Sequence, residues 1–477
     1  MAISRRRALL TGMTATAAAG VAGCAAQPAD PPTVVSDLGG LVANARDFGI
    51  AGGETDESAR LQNAIDYAHE NGLALFLPAG RYTADGLLLR EGTRLIGAGP
   101  EGTVIRAVPG SGNGPVLGIG RGPTRYVTVE GIGIEDAGNP DQHGIHIHAR
   151  RGGEDTASGL WHSAFRLLRV AGFAGAQLWL QGGGHDARDP LQFLTFDGVI
   201  LERRNDSERS LGLLMSGQVN QTAWTGGRID GFGAAATAAP GINVKICRQL
   251  SGYDASDNGG PYLSDRIGHS HVFTDVTFQQ AALGVFVDRA ESITFDTCHF
   301  EGLGSGLLFS GVDHCRVDRC HFANSALGQG EPFSVRAVAG ARVSGTGNVF
   351  LGRFGDMASA DDSGASVLMS NGVGRDMAVT RNLTQRIEPA VEIDVGAAVT
   401  VALSASPTPV RVVKATHFPG ERVVLKAAGG SVFFESGGNI DFENVATPLE
   451  LRSGGTLTLV RFDSGPEWSI EAIHGAR

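Results

Sequence analysis

The chain has 477 residues, of which 42% are hydrophobic and 19% are charged, and its formal net charge at pH 7 is −11. This composition allows a packed core, and the acidic balance disfavours nucleic acid or an anionic membrane surface as the main partner. Its 70 glycines are spread along the chain and far exceed the average share of about 7%. We therefore expect many short strands joined by tight turns.

The first 23 residues predict an export signal rather than folded structure. Ser4-Arg5-Arg6-Arg7 precedes an apolar stretch of small residues, a pattern typical of twin-arginine signal peptides. Val21-Ala22-Gly23-Cys24 resembles a bacterial lipobox, in which Cys24 would carry the lipid, and cleavage without lipidation is the alternative. We predict a periplasmic or cell-surface lipoprotein, or a secreted protein, that meets a membrane only through this anchor. Residues 24–42 would form a tether.

An amphipathic helix is predicted directly after the tether region. Its apolar positions follow the i, i+3, i+4, i+7 spacing and are Leu61, Ala64, Ile65 and Ala68. Thr55 or Asp56 can cap its start. A helix at this place would cover the apolar end of a stack of coils, which otherwise invites edge-to-edge pairing.

A six-residue pattern recurs from the middle of the chain onward. The clearest copies are FTDVTF at 273–278, FDTCHF at 295–300 and VDRCHF at 317–322, and successive copies start 22 residues apart. A fixed period with strand-type residues predicts coils that stack into a solenoid. The last residues of the three copies, Phe278, Phe300 and Phe322, should then form one column.

Two cysteines occupy the same position in successive coils. Cys298 and Cys320 should lie about 4.8 Å apart, the normal spacing of neighbouring strands. We expect buried thiols that act as small hydrophobes, with a disulfide as the alternative in an exported protein. Cys247 and Cys315 have no metal-type spacing, so no zinc site is predicted.

Motifs in the N-terminal region resemble those of the pectate-lyase-like superfamily. They are Asp47-Phe48-Gly49, Thr55-Asp56, Leu61-Gln62 with Ala64-Ile65, and Leu77-Pro78-Ala79-Gly80 with Tyr82. One departure is Gly53-Glu54, where the family usually carries Asp-Gly. The resemblance implies an all-β fold, a right-handed parallel β-helix with an N-terminal capping helix, over residues 43–385. The superfamily includes polysaccharide lyases, β-helical glycoside hydrolases and phage tailspikes, so the fold alone does not specify the reaction.

From about residue 386 the coil rhythm ends. Short alternating strands predict a small C-terminal β-domain over residues 386–477. The stretches 437–440 and 455–460 are similar to domains that close some phage tail fibres and tailspikes. In tailspikes such domains help to assemble trimers, so a homotrimer is one expectation and a plain capping role is the other.

A second set of alternating strands predicts two outward ladders on one face of the coils. The first ladder is His146, Trp179, Leu214, Asn243, Phe286 and Leu308, and the second is His148, Gln181, Ser216, Lys245, Asp288 and Ser310. In pectate-lyase-like enzymes the substrate commonly lies along the outside of one sheet. We expect Trp179 and Phe286 to be exposed and to lie against sugar rings, with Gln181, Asn243 and Arg188 as further substrate-binding residues. A solvated polar face without a ligand is the alternative.

Lys245 is the sharpest catalytic candidate because residues 50–385 contain no other lysine. A neutral lysine can act as a base when burial or nearby cations lower its pKa, and an exposed surface lysine is the alternative. His146 and His148 share a face and are expected to act as an acid or to bind sugar rather than to hold a metal.

These residues favour a lyase that cleaves a uronic-acid polymer by β-elimination. Lys245 would be the base, His146 or His148 its acid partner, and Arg188 a carboxylate clamp. A glycoside hydrolase would instead need two carboxylates, about 5.5 Å apart for retention or about 6.5–9.5 Å for inversion. Asp186, Asp189 and Asp288 are the candidate acids.

A non-catalytic surface-binding or structural β-helix is the third alternative, because fold does not determine function. No cofactor is predicted. A calcium site among Asp254, Asp257 and Asn258 lacks a recognisable ligand pattern.

Overall fold

A computed structural model provides the fold. The structure describes residues 42–149, 158–183, 190–204, 209–232, 241–247, 268–323, 333–351, 356–360, 365–370, 373–374, 384–387, 389–394, 400–414, 422–442, 445–461 and 468–476. The predicted export signal, Cys24, Asp186, Arg188, Asp189 and the calcium candidates Asp254, Asp257 and Asn258 lie outside the described residues. Within the described ranges no helix is long and apolar enough to cross a membrane.

Parallel strands from successive coils form three faces, as the solenoid prediction requires. Face 1 contains Val42–Asn44, Ala74–Leu77, Arg94–Gly97, Pro123–Arg125, Thr128–Glu130, Gly159–Arg166, Leu191–Asp197, Val219–Thr225, His269–Thr274, Glu291–Asp296, Cys315–Asp318, Arg342–Thr346 and Ser366–Ser370. Face 2 contains Gly80–Thr83, Thr103–Arg106, Gly133–Glu135, Arg169–Ala171, Ile200–Arg204, Arg228–Phe232, His321–Ala323, Val349–Leu351 and Val373–Gly374. Face 3 contains Leu87–Leu89, Leu117–Ile119, Ile145–His148, Ala176–Gln181, Leu211–Ser216, Ile242–Cys247, Phe333–Val338 and Asp356–Ala360. Two longer strands, Thr277–Asp288 and His299–Ser310, contribute first to face 2 and then to face 3.

Stacked aromatic rings fill the interior of the coils. On face 2 the ring centroids of Phe278 and Phe300 lie 4.9 Å apart, and those of Phe300 and Phe322 lie 4.6 Å apart. Their strands pair in parallel with these residues in register. The predicted column and the parallel β-helix are therefore confirmed. The separation of the rings matches the strand spacing, because each coil repeats the same inward position.

The six-residue pattern spans a tight corner between face 1 and face 2. In three successive coils the residue at the corner has a positive φ: Asp275 at 56°, Thr297 at 53° and Arg319 at 53°. This left-handed residue turns the chain within two residues, so the apolar side chains before and after it both point inward. The pattern therefore places its first aromatic or valine on face 1 and its last phenylalanine on face 2.

The predicted amphipathic helix runs over Ser58–Glu70, and a 3-10 helix over Ala45–Phe48 precedes it. The four predicted apolar positions of the helix are buried in the same core as the coils. Asp56 accepts a hydrogen bond from the backbone N–H of Ser58 at 2.9 Å and so satisfies one of the free donors at the start of the helix.

Cys298 and Cys320 are buried free thiols in consecutive coils, as their shared position predicted. Each follows the left-handed corner, where the preceding coil has the buried Val276. The Cys298 thiol donates to the carbonyl of Phe273 at 3.3 Å. The cysteines therefore act as small interior hydrophobes.

The strands after residue 384 form sheets that share no described strand with the three faces. They are Thr384–Ile387, Glu392–Asp394, Thr400–Leu403, Ser406–Val410, Val412–Lys414, Arg422–Ala427, Val432–Phe434, Ile440–Asp441, Leu449–Arg461 and Trp468–Ala476. Their buried side chains form a core of their own, which includes Leu457, Leu459 and Trp468. The roles in capping and in trimer assembly stay predictions.

Candidate functional site

The pairing on face 3 corrects the two predicted ladders at one coil. Leu214 pairs with Lys245, and Ser216 pairs with Cys247. Lys245 in turn pairs with Phe286, and Cys247 pairs with Asp288. The predicted alignment was therefore wrong by two residues in this coil. A shift of two residues preserves the alternation of apolar and polar positions, so the sequence pattern could not exclude it.

Asn243 does not occupy the outward ladder position that the sequence predicted. Its side chain is fully buried. The Nδ2 group donates to the carbonyls of Ile229 at 3.0 Å and Gln279 at 2.8 Å, and Oδ1 accepts from Arg203 Nε at 2.9 Å. These bonds tie face 3 to strands of face 2. The outward place in this coil belongs to Lys245, which joins the ladder of His146, Trp179 and Leu214.

A cluster of aromatic and histidine rings lies at one end of this ladder. The His146 ring stacks on Trp179 with centroids 4.1 Å apart and an angle of 3° between the rings. His148 stacks on His146 at 5.3 Å. The ring of His143, from the turn before the strand, lies 4.9 Å from Trp179. The structure thus brings together His146, His148 and Trp179, and it adds His143.

The prediction that Trp179 is exposed was wrong. Only 5% of Trp179 is exposed, because Ala176, Leu214 and Cys247 pack around its ring on the outer side of face 3. Phe286, the other predicted sugar platform, is half-buried. A side chain that points outward from a strand is still buried when neighbouring coils cover it with apolar side chains. The alternation within one strand cannot predict this cover.

Hydrogen bonds hold the rings of the cluster in place. His146 Nε2 lies 2.8 Å from the amide oxygen of Gln181, which can only accept, so this nitrogen carries a proton in the observed geometry. The Trp179 indole N–H donates to Ser216 Oγ at 3.0 Å. Gln181 and Ser216 come from neighbouring strands, so the network spans three coils.

His143 is a neutral hydrogen-bonding residue in this site. Its Nδ1 accepts the backbone N–H of Ala176 at 2.9 Å, which leaves the proton of the neutral ring on Nε2. Burial lowers the pKa of His143 to about 4. The ring therefore stays uncharged at neutral pH and can donate, but it is a poor base. The sequence signal for it was its position three residues before His146.

Lys245 precedes Cys247 by two residues on the same strand, and Asp288 pairs with Cys247 on the next coil. Burial raises the pKa of the Cys247 thiol to about 11, and the charge of Lys245 lowers it while that of Asp288 raises it. Asp288 accepts a hydrogen bond from Ser310 at 3.0 Å. Two strand spacings, about 10 Å, separate Lys245 from Trp179 along the ladder. The cation and the ring cluster could thus contact neighbouring sugars of one chain.

Face 2 carries a second cluster of titratable groups that the sequence reasoning missed. Arg228 bridges two carboxylates on adjacent coils, with Glu202 at 2.7 Å and Asp230 at 2.7 Å. Both carboxylates are buried, and Asp230 Oδ1 has no hydrogen-bond partner. Burial raises the pKa of Asp230 to about 6, even though Arg228 lowers it.

These two acids are bound to arginines and are therefore weak candidates for a hydrolytic pair. The predicted acids Asp186 and Asp189 lie outside the described residues, so no distance joins them to Asp288. Across the described parts of the chain, no group of three or more His, Cys, Asp or Glu side chains is arranged to hold a metal ion.

Comparison with known proteins finds a family match over the N-terminal part of the chain. Residues 42–119 match the family described as Rhamnogalacturonase A/epimerase, pectate lyase-like. The predicted resemblance to the pectate-lyase-like superfamily is thereby confirmed. The match ends before His143, so it includes the helix and the first coils but none of the ring cluster.

Two curated relatives match short stretches of the chain. Mannuronan C5-epimerase AlgE3 of Azotobacter vinelandii is 40% identical over 92 residues, 17% of this chain and 5% of that protein. Alginate lyase 7 of the same organism is 38% identical over 77 residues, 14% of this chain and 9% of that protein. The chain thus spans less than a tenth of the length of either relative.

Among solved structures, the mannuronan C-5 epimerase AlgE4 A-module of Azotobacter vinelandii matches with 16% identity and a TM-score of 0.45, over 70% of this chain and 97% of that one. The tailspike protein gp49 from Acinetobacter baumannii bacteriophage Fri1, a capsular polysaccharide depolymerase, matches with 12% identity and a TM-score of 0.44. That match covers 93% of this chain and 84% of the tailspike chain.

Proposed function

We propose that the protein is a carbohydrate-active enzyme that acts on a uronic-acid polymer bound along face 3, as a lyase that cleaves by β-elimination. The observation that carries the proposal is the ladder in which the His146–Trp179 stack and Lys245 occupy the same outward column. The names of the two curated relatives, a mannuronan epimerase and an alginate lyase, support a uronate substrate.

The proposed step requires a base, an acid and neutralisation of the uronate carboxylate. The base removes the C5 proton, the electron pair forms the C4–C5 double bond, and the C4–oxygen bond breaks as the leaving oxygen gains a proton. Lys245 is the proposed base. His146 lies three strand spacings, about 14 Å, from Lys245 along the ladder, too far to act on the same glycosidic bond. We therefore propose that His146 and His148 bind the neighbouring sugar and that the leaving oxygen takes its proton from water. The hydrogen bond from His146 Nε2 to Gln181 fixes the ring against Trp179, which is consistent with sugar binding. Arg188 remains the proposed clamp for the carboxylate.

A C5-epimerase is a second candidate, because one of the curated relatives, 40% identical over 92 residues, is a mannuronan C5-epimerase. The same removal of the C5 proton, followed by delivery of a proton from water to the opposite face, would invert the centre without breaking the chain. The two reactions differ in their products, so one experiment separates them. A glycoside hydrolase or a non-catalytic binding protein is an outcome of that same experiment.

The test incubates the protein with polymannuronate, polyguluronate and polygalacturonate. A lyase gives new ultraviolet absorbance from unsaturated ends, an epimerase changes the C5 configuration by NMR without new ends, and a hydrolase gives reducing ends without absorbance. Absence of all three changes with every polymer would contradict an enzymatic function on uronates.

Lys245→Ala is expected to lower the rate about 100-fold or more, the usual contribution of a general base. Lys245→Arg keeps the charge but cannot act as a base at neutral pH and should be equally slow. Lys426→Ala, an exposed lysine on the strand Arg422–Ala427, is the matched control and should keep the full rate. An unchanged rate in Lys245→Ala would remove Lys245 from the mechanism.

We further propose export by the twin-arginine route with lipidation at Cys24. The pattern Ser4-Arg5-Arg6-Arg7 and the lipobox ending in Cys24 support this proposal. Arg5→Lys combined with Arg6→Lys should leave the protein in the cytoplasm of an expressing bacterium. Cys24→Ala should abolish incorporation of labelled fatty acid, and incorporation into that variant would contradict the assignment.

A further inference from the structure

Near the start of the strands on face 1, one position adopts a positive φ in coil after coil. Its members, here called the αL column, are Gly92, Tyr126, His162, Phe193, Gln221, Ser270, Ser292 and His314, with φ between 51° and 70°. Glycine adopts this conformation freely, whereas a bulky side chain is strained in it. Three consecutive coils nevertheless carry Tyr126, His162 and Phe193.

These three rings form a stack on the surface, here called the aromatic stack. Tyr126 and His162 lie 5.7 Å apart at an angle of 17°, and His162 and Phe193 lie 4.7 Å apart at 4°. Tyr126 is 60% exposed and Phe193 is 43% exposed. The residue before Tyr126 in the αL column is Gly92, beyond whose Cα lies open space. The Tyr126 end of the stack is therefore open to a ligand.

Arginines surround this open end. Arg121 and Arg125 are exposed on the segment that leads into Tyr126, and Arg94 is exposed on the neighbouring strand. The Arg125 guanidinium lies 5.7 Å from the centre of the Trp161 ring, which holds it beside the stack. None of the three arginines forms an ion pair with a described residue. The acids nearest in sequence are Glu91, next to Gly92, and Glu130, four residues after Tyr126, which pairs with Arg166. Basic side chains therefore outnumber acidic ones here, in a protein whose net charge is −11.

We propose that the aromatic stack and its arginines form a second binding site, separate from face 3, for an acidic polysaccharide chain. The apolar face of a sugar ring would lie against Tyr126, and the carboxylates would meet Arg121 and Arg125. The choice of a uronate polymer rests on the proposed function, whereas the existence of the site rests on the stack and its charge. A site away from face 3 would hold the polymer close to the enzyme between reactions and increase its effective concentration.

The test is affinity electrophoresis of the full chain in gels with and without alginate. Tyr126→Ala combined with Phe193→Ala should weaken retention about tenfold, because the ring that meets the sugar is lost together with the far end of the stack that supports it. Arg121→Glu combined with Arg125→Glu leaves the stack intact and should weaken retention at least as much. Leu167→Ala is the matched control, since Leu167 is also 53% exposed with a φ of 49° and follows the strand that contains His162. It should be retained like the wild type.

Two results would overturn the proposal. One is a wild type that alginate does not retain, and the other is retention that is unchanged in both double variants. Thermal melting of each variant separates lost binding from lost folding, and the arginine variant covers the case in which the alanine variant does not fold. Initial rates on short alginate oligosaccharides should stay unchanged in both. Retention without any product in the function assay would contradict the proposed function but leave this site standing.

Discussion

Face 2 and face 3 are built from the same coils, yet their outer surfaces use polar side chains in opposite ways. Face 2 carries a row of ion pairs that links strands of successive coils, spans two coils at its first pair and ends with a pair within one strand. Its members and distances are Arg81–Glu135 at 2.7 Å, Glu135–Arg169 at 2.9 Å, Arg169–Glu202 at 2.7 Å, Glu202–Arg228 at 2.7 Å and Arg228–Asp230 at 2.7 Å. Face 3 instead carries rings and amides, with Lys245 and Asp288 as its charged members in the two ladders.

The difference indicates which face has polar groups to offer a ligand. On face 2 the charges neutralise one another, so a ligand would have to break existing ion pairs. On face 3 the rings of His146 and Trp179 are oriented by Gln181 and Ser216 without an opposing charge. Face 2 thus holds the coils together, and face 3 is the surface on which we place the substrate.

The largest loss of stability is expected when Glu202 is removed from face 2. Its side chain is 9% exposed and pairs with both Arg169 and Arg228. Glu202→Ala would leave these arginines without a shared partner and should lower the free energy of unfolding by about 3–5 kcal/mol in urea. Glu130→Ala, which removes an exposed pair with Arg166, is the control and should cost less than about 1 kcal/mol. If the two variants lose equal amounts of unfolding free energy, the buried pairs of Glu202 do not stabilise the fold more than an exposed pair does.

His143, in the ring cluster at face 3, should make the free energy of unfolding depend on pH. Burial holds its pKa at about 4 in the folded protein, against about 6.5 in an unfolded chain. Between these values the unfolded chain binds the proton, so the free energy of unfolding falls by about 1.4 kcal/mol per unit as the pH falls.

His143→Gln should reduce that slope by the same amount in urea titrations at pH 6, 5 and 4.5. His314→Gln, an exposed histidine on face 1, serves as the control. A slope that His143→Gln leaves unchanged would contradict the neutral state assigned to this ring.

Asp230, on face 2, should change the free energy of unfolding with pH in the direction opposite to that of His143. Burial raises its pKa to about 6, against about 3.9 in an unfolded chain. The native state therefore holds the additional proton between these values, and the contribution of Asp230 to stability is lost as the pH rises from about 4 to about 6. In Asp230→Asn the free energy of unfolding should increase more steeply with pH between 4 and 6 than in the wild type, by up to about 1.4 kcal/mol per unit. A slope that becomes shallower would refute the raised pKa.

The smallest effect is expected at the exposed end of the face 2 row. Arg81 is 61% exposed, and solvent weakens its pair with Glu135. Arg81→Ala should cost about 0.2–1 kcal/mol in unfolding free energy and should leave any activity on uronates unchanged. A loss as large as that of Glu202→Ala would mean that the row acts as one cooperative unit rather than as separate pairs.

Much of the fold could be predicted because a coil repeats its inward positions. The register of Phe278, Phe300 and Phe322 follows from equal coil lengths, and the buried face of the helix follows from its own period. The candidate site was predictable only in part. Where a coil differs in length, alternation permits two alignments two residues apart, and Asn243 was placed outside although the fold buries it.

The ion pairs of face 2 had no signal in the sequence. Arg81 and Glu135 are 54 residues apart, and Arg169 and Glu135 are 34 apart, so neither a fixed spacing nor a local motif marks them. Such pairs depend on which coils become neighbours and on how far each intervening loop extends. The burial of Trp179 likewise depends on side chains from other coils.

The sequence by itself determined that the chain winds into stacked coils with an aromatic interior, because inward side chains repeat at a constant interval and contact their own equivalents. The tertiary structure alone decided that Lys245 shares a column with His146, that Asn243 is buried and that Asp230 holds a raised pKa. The physical reason is that packing between coils sets alignment, burial and charge environment, and these depend on residues distant in the sequence.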